Sequence, residues 1–208
     1  MSHIFLLNKL VLTFNYKEYN MYLPSDQSQL FCLETVADIE LNDESKIFPF
    51  LEQLVLNHSI VNVYKACDSI EGFEDSLNAL LYEDRNFKNY DLLYFVCKGS
   101  ENEIEINGYY YSLEEIAELF EGRLKGKILH FANSKALNLD DEACQYFIDV
   151  TGAKAISGYT QTHGIFSGLL DYHFFGLTQE YDDVRDIVET LHEKHYGLCT
   201  TLGFHLYY

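Results

Sequence analysis

The sequence predicts an α/β domain built on a mostly parallel sheet with helices on both faces. Three observations carry that expectation. Residues 91–97 (DLLYFVC) and 127–131 (KILHF) are short, nearly continuous apolar runs, the pattern of central parallel strands covered on both sides. Segments with apolar residues at helical spacing alternate with these and with further strand-like runs, which implies βαβ crossovers. Asn107-Gly108, between strand-like residues 104–106 and 109–111, is the strongest short signal for a small β-hairpin.

The polar stretch 24–29, with Pro24, sets off residues 1–29 as a hairpin-like N-terminal extension and leaves 30–208 as one domain. Residues 30–33 open the series as a short strand. Ile47, Phe50, Leu51, Leu54 and Val55 recur at helical spacing over 47–56, and 60–64 is β-branched and aromatic. Phe73, Leu77, Leu80 and Leu81 share one face of a helix over 71–82. Ser112 and Glu115 form a capping box that starts a helix ending near Gly122. After 127–131 come a helix over 141–150, a strand over 154–157, helices near 167–180 and 182–195, and a last strand over 203–207.

Composition narrows the function classes. Of 208 residues 48% are hydrophobic and 15% aromatic, as a chain that builds a core requires. No apolar run approaches the roughly 20 residues that cross a bilayer, and the opening stretch lacks a basic start and a small-residue cleavage site, so no signal peptide is expected. The five cysteines (Cys32, Cys67, Cys97, Cys144, Cys199) are odd in number, scattered and without a Cys-x-x-Cys pair. They read as reduced thiols of a cytoplasmic protein. The formal net charge of -19 repels phosphate backbones and anionic lipid. Neither nucleic acid nor membrane is an expected partner; a protein or peptide is. Gly72, Gly99 and Gly108 form no phosphate-binding series, so no cofactor is expected. His192 and His195 lie three apart without a third ligand, so no metal is expected.

In sheets of this kind, sites form beyond the carboxyl ends of the central strands. Here those ends are Cys97-Lys98-Gly99-Ser100 and Ala132-Asn133-Ser134-Lys135. The segments YDLLYFVCKGS (90–100), SLEEIAELFEGRLKGKILHFANSKAL (112–137) and FIDVTGAKAISGYT (147–160) resemble a family of bacterial caspase-like (clan CD) proteins, as do LFCLE at 30–34 and LGFHLYY at 202–208. The resemblance implies a three-layer caspase-like fold with six central strands in the order 2-1-3-4-5-6. It also implies that activity is lost: the family's catalytic histidine aligns with Lys98 and its cysteine with Ser134. Ala132 and Asn133 replace the glycine and serine before that cysteine, and Gly164 and Ile165 fall where the family has an acidic–aromatic pair.

No catalytic residue is therefore expected. The degenerate positions Lys98 and Ser134, with Gly99, Ser100, Ala132, Asn133, Tyr159 and Gly164, outline a binding cleft. Three further residues are weaker candidates. Cys97 should point away from Lys98 by strand alternation and reads as a buried thiol. His130, inside the 127–131 strand, reads as a core histidine bonded to backbone. His163, after the GYT turn, could supply a replacement base. Tyr109, Tyr110 and Tyr111 form an aromatic stripe that offers either a contact surface or half-buried strand packing.

The expectation is a catalytically inactive caspase-like protein that acts as a protein-binding or regulatory subunit, with a bacterial stress or anti-phage setting implied by the resemblance. A hydrolase using Ser134 assisted by Lys98 or His130 is the alternative, since a Ser–Lys pair works when the lysine is neutral and dry. A homo-oligomer pairing through residues 203–208 or through the N-terminal hairpin is another.

Overall fold

Alternation of side chains along the strands decides which helices pack on which side of the sheet. The computed structural model describes residues 28–39, 45, 47–132, 135–161 and 165–208, the side chains of residues 165 and 166 excepted. The expected extension over residues 1–27, and positions 133, 134, 163 and 164, lie outside the described residues.

The central sheet has six strands: β1 (Gln29–Thr35), β2 (Val61–Cys67), β3 (Tyr90–Val96), β7 (Ile128–Ala132), β8 (Ala155–Tyr159) and β9 (Phe204–Tyr207). Their order across the sheet is β2-β1-β3-β7-β8-β9. Numbered among themselves they run 2-1-3-4-5-6, the order the resemblance implies. All neighbours are parallel except β8 and β9. Because successive residues point to opposite faces, Leu33, Leu93, Phe95, Leu129, Phe131 and Ile156 line one side of the sheet. There they meet helices α2 (Ile70–Asn78), α3 (Leu113–Glu118) and α4 (Asp141–Thr151) through Phe73, Leu77, Ile116 and Phe147. Leu30, Cys32, Leu92, Tyr94, Ile128 and Tyr159 line the other side, under α1 (Phe48–His58), α5 (Ile165–Leu177) and α6 (Val184–Leu202). Two such covered faces are why β3 and β7 are apolar almost throughout.

Local chemistry sets the helix ends. Ser112 accepts from the Glu115 amide while the Glu115 carboxylate accepts from the Ser112 amide, the capping box expected at α3. Asp140 caps α4 by accepting from the Ala143 amide, and Gly152 ends it with φ 71°. The expected helix over 71–82 is α-helical only to Asn78 and continues as one π turn, Ala79–Glu83. The last two helices span 165–177 and 184–202, displaced from the expected 167–180 and 182–195; Asp183 caps α6 through the Arg185 amide and so sets its start.

The expected hairpin is part of a three-stranded antiparallel sheet, β4 (Lys98–Ser100), β5 (Glu103–Ile106) and β6 (Tyr109–Ser112), in that order. Asn107 and Gly108 both take positive φ, as a two-residue β-hairpin turn of this hand requires. The turn that adds β4 is made the same way by Glu101 (φ 55°) and Asn102 (φ 65°), without a glycine. Among the described residues no helix is long and apolar enough to cross a membrane.

Candidate functional site at the carboxyl ends of the central strands

Strands β3 and β7 run parallel and in register from Leu92↔Ile128 to Val96↔Ala132. The chain therefore leaves two adjacent strands side by side, after Val96 from one and after Ala132 from the other. Backbone bonds fix this junction: the Cys97 amide donates to the Ala132 carbonyl (3.3 Å) and the Lys135 amide to the Gly99 carbonyl (3.0 Å). Ser100 and Lys135 form an isolated parallel bridge beyond them. Asn102 ties in the small sheet, its side-chain amide donating to the Asn138 carbonyl (3.0 Å) and its side-chain oxygen accepting from the Asn138 amide (2.8 Å).

At this junction the side chains diverge. Cys97 is 2% exposed and packs into the core with Phe95 and Ile104; burial pushes its thiol up to about 12. Lys98 is exposed and begins the outer face of the small sheet, where its cross-strand partner is Glu105 and the next is Tyr110. Gly99 faces inward at a point where the strands nearly touch: a Cβ there would lie 2.2 Å from the Glu103 carbonyl oxygen. Ser100 is exposed. Ala132 and Tyr159 are buried in the core under α1, α5 and α6, so Tyr159 lends the strand ends its backbone and not its ring. That backbone is used: the Leu137 amide donates to the Tyr159 carbonyl (3.3 Å). Tyr109 and Tyr110 are exposed and Tyr111 packs partly against the core, so the aromatic stripe divides.

His130 is a core residue, fully buried, but its ring bonds side chains rather than backbone. Nε2 lies 2.8 Å from Asp171 Oδ1 and Nδ1 lies 2.9 Å from Ser157 Oγ. The Tyr94 hydroxyl donates to Asp171 Oδ2 at 2.8 Å, and the Tyr159 hydroxyl donates to Asp171 Oδ1. Tyr94, His130 and Ser157 occupy one row across β3, β7 and β8, and Asp171 descends onto them from α5. Burial, followed by the Asp171 charge, raises both phenols well above their ordinary range, which keeps them protonated donors.

The Ser157 hydroxyl has two partners within reach, the Leu129 carbonyl (3.2 Å) and His130 Nδ1 (2.9 Å).

Serine, histidine and aspartate thus stand in one hydrogen-bonded line, as in nucleophilic catalysis, but Ser157 and His130 are 0% exposed and Asp171 1%. No substrate reaches them, and Nδ1 rather than Nε2 faces the serine. Their role is to satisfy one another and hold α5 on the sheet. Reading the residues in sequence missed Asp171, Ser157 and Tyr94, and set Tyr159 in the cleft, whereas its hydroxyl belongs to this network. A signal was present: Asp171 is the one acidic residue in the mostly apolar segment 165–177, and a buried carboxylate requires partners.

Among the described residues no group of three His, Cys, Asp or Glu side chains is arranged to hold a metal. A shallow depression of about 480 Å³ lined by Lys154, Asp182, Asp183, Val184 and Tyr208 lies at the other end of the sheet, beside the start of β8. Residues 27–208 match one protein-family model, described as a family of unknown function, and no curated protein matches the chain.

Proposed function

The chain belongs to that family of unknown function (DUF6642), and we propose that it is a catalytically inactive relative of the caspase-like peptidases that acts by binding a protein or peptide partner. One observation carries the reading. The adjacent, in-register strands β3 and β7 end at Val96 and Ala132, and in the sequence the second residue after each end, where such a peptidase needs an imidazole and a thiolate, is Lys98 and Ser134.

The surroundings of Lys98 support it. A lysine acts as a base only when desolvation strips its proton, whereas Lys98 is exposed and directly across the strand pair from Glu105. The one thiol at this junction, Cys97, faces the core on the far side with its pKa raised to about 12. The excess of 33 acidic over 14 basic residues favours a partner with a basic surface. The free described cysteines favour the cytoplasm, and a bacterial stress or anti-phage setting follows from the resemblance alone.

The test is to incubate the purified full chain with a mixed peptide library and with thiol- and serine-directed covalent probes. The expected result is no cleavage and no label on Ser134 or Cys97. Stoichiometric labelling of Ser134 that disappears in Lys98→Ala would overturn the proposal and establish a working Ser–Lys pair.

A further inference from the structure

Five of the eight histidines, His58, His173, His192, His195 and His205, lie on α1, α5, α6 and β9. Two of them touch across the α5–α6 contact: the rings of His173 and His195 stack with centroids 3.9 Å apart and planes 21° from parallel. His58, near the end of α1, faces the same spot. Its ring lies 4.5 Å from that of Tyr172, and its Nε2 is buried without a hydrogen-bond partner.

We propose that the stacked His173–His195 pair is an acid-sensitive clasp between α5 and α6, closed at neutral pH and opened by protonation, and that its opening is passed to the turn after β8.

Two neutral imidazoles stack as flat apolar rings; two imidazoliums at this distance repel. The groups bearing on the pair share one sign. On His173, after burial, they are His195, His58 and Lys194, and on His195 Lys194. From α1 the facing group is His58, and from α5 the ring of Tyr172. Asp171, two residues before His173, is turned the other way into His130 and the two phenols. On α6, His192 faces β9 at Phe204 and His205. Burial, and then these positive neighbours, hold both rings below their ordinary value near 6.5. The unfolded or opened chain therefore binds more protons than the closed one as pH falls below about 6.5. The clasp contributes fully above that pH and progressively less beneath it.

The helix is built to yield at this point. His195 itself departs from helical geometry (φ -132°, ψ 34°) inside α6. The C-terminal part of α6 beyond it leads through Gly203 into β9. Gly203 and Leu202 accept backbone bonds from Thr160 (3.0 Å) and Gln161 (2.9 Å), the residues that follow β8 at the carboxyl edge of the sheet. A shift of the α6 end is thus transmitted to that edge through two hydrogen bonds.

Hydrogen–deuterium exchange of the full chain at about pH 7.5 and about pH 5.5, corrected for intrinsic rates, brackets the histidine range. The expected result is a loss of protection at the lower pH in peptides covering 195–204 and 158–161, relative to β3. His173→Phe keeps a ring in the stack and removes its charge, and should abolish most of that loss. Where the variant does not fold, imidazole NMR titration of the unaltered protein decides. Equal loss in parent and variant, loss spread evenly over the sheet, or His173 titrating at or above a histidine of the urea-unfolded chain would each overturn the proposal.

Discussion

Removing the carboxylate of Asp171 tests whether the network under α5 holds the fold. The group is 1% exposed and accepts from His130 Nε2–H and from the Tyr94 and Tyr159 hydroxyls. Asp171→Ala takes the acceptor from three buried groups and leaves only the Tyr159 hydroxyl an alternative, the Ser167 carbonyl at 3.4 Å. Each costs about 1–3 kcal/mol when stranded, and partial relaxation or an entering water recovers some of the sum. The expected loss is about 3–6 kcal/mol, which for a chain of this length lowers Tm by about 6–24 °C. Asp171→Asn keeps the shape and one acceptor oxygen and should cost about 1–3 kcal/mol. Joint replacement of the network by Asp171→Leu, His130→Leu, Tyr94→Phe and Tyr159→Phe should recover much of the Asp171→Ala loss. Apolar residues of similar volume then leave nothing unpaired. The assay is urea unfolding followed by far-ultraviolet circular dichroism, comparing midpoints at constant slope. A loss under about 1 kcal/mol for Asp171→Ala would refute the reasoning, because a buried acceptor of three bonds cannot be worth so little.

Two further outcomes follow from positions around the strand ends. Gly99→Ala places a methyl group 2.2 Å from the Glu103 carbonyl oxygen, so β4 must part from β5; a loss of about 1–3 kcal/mol and faster amide exchange at Ile104 are expected, and unchanged stability would contradict the close approach. Iodoacetamide at neutral pH should alkylate the partly exposed Cys144 well before Cys97, whose thiol is buried and raised to about 12; mass spectrometry showing equal rates would mean that Cys97 is not seated in the core.

The strands were legible because both faces of the sheet are covered. Residues 91–97 and 127–131 carry apolar side chains on both alternating sets, and the structure pairs them as β3 and β7. Asn107-Gly108 was legible because its turn demands positive φ. The matching turn at Glu101–Asn102 was not, since neither residue announces that conformation as glycine does; Asn102 is held there in part by its two bonds to Asn138. That one turn makes a hairpin into a three-stranded sheet and carries Lys98 out to a solvated face. The His130 partners were hidden for another reason. Asp171 is 41 residues from His130 in sequence, and periodicity places a residue on a face without saying what descends upon it.

The backbone bonds around residues 133 and 134 bear on which changes the chain tolerates there. Ala132 is held by the Cys97 amide on one side and Lys135 by the Gly99 carbonyl on the other. An inserted or deleted residue between them would break one tie or the other, whereas a change of side chain costs neither. The two ties therefore constrain the length of the chain between Ala132 and Lys135 and not the identity of what it carries.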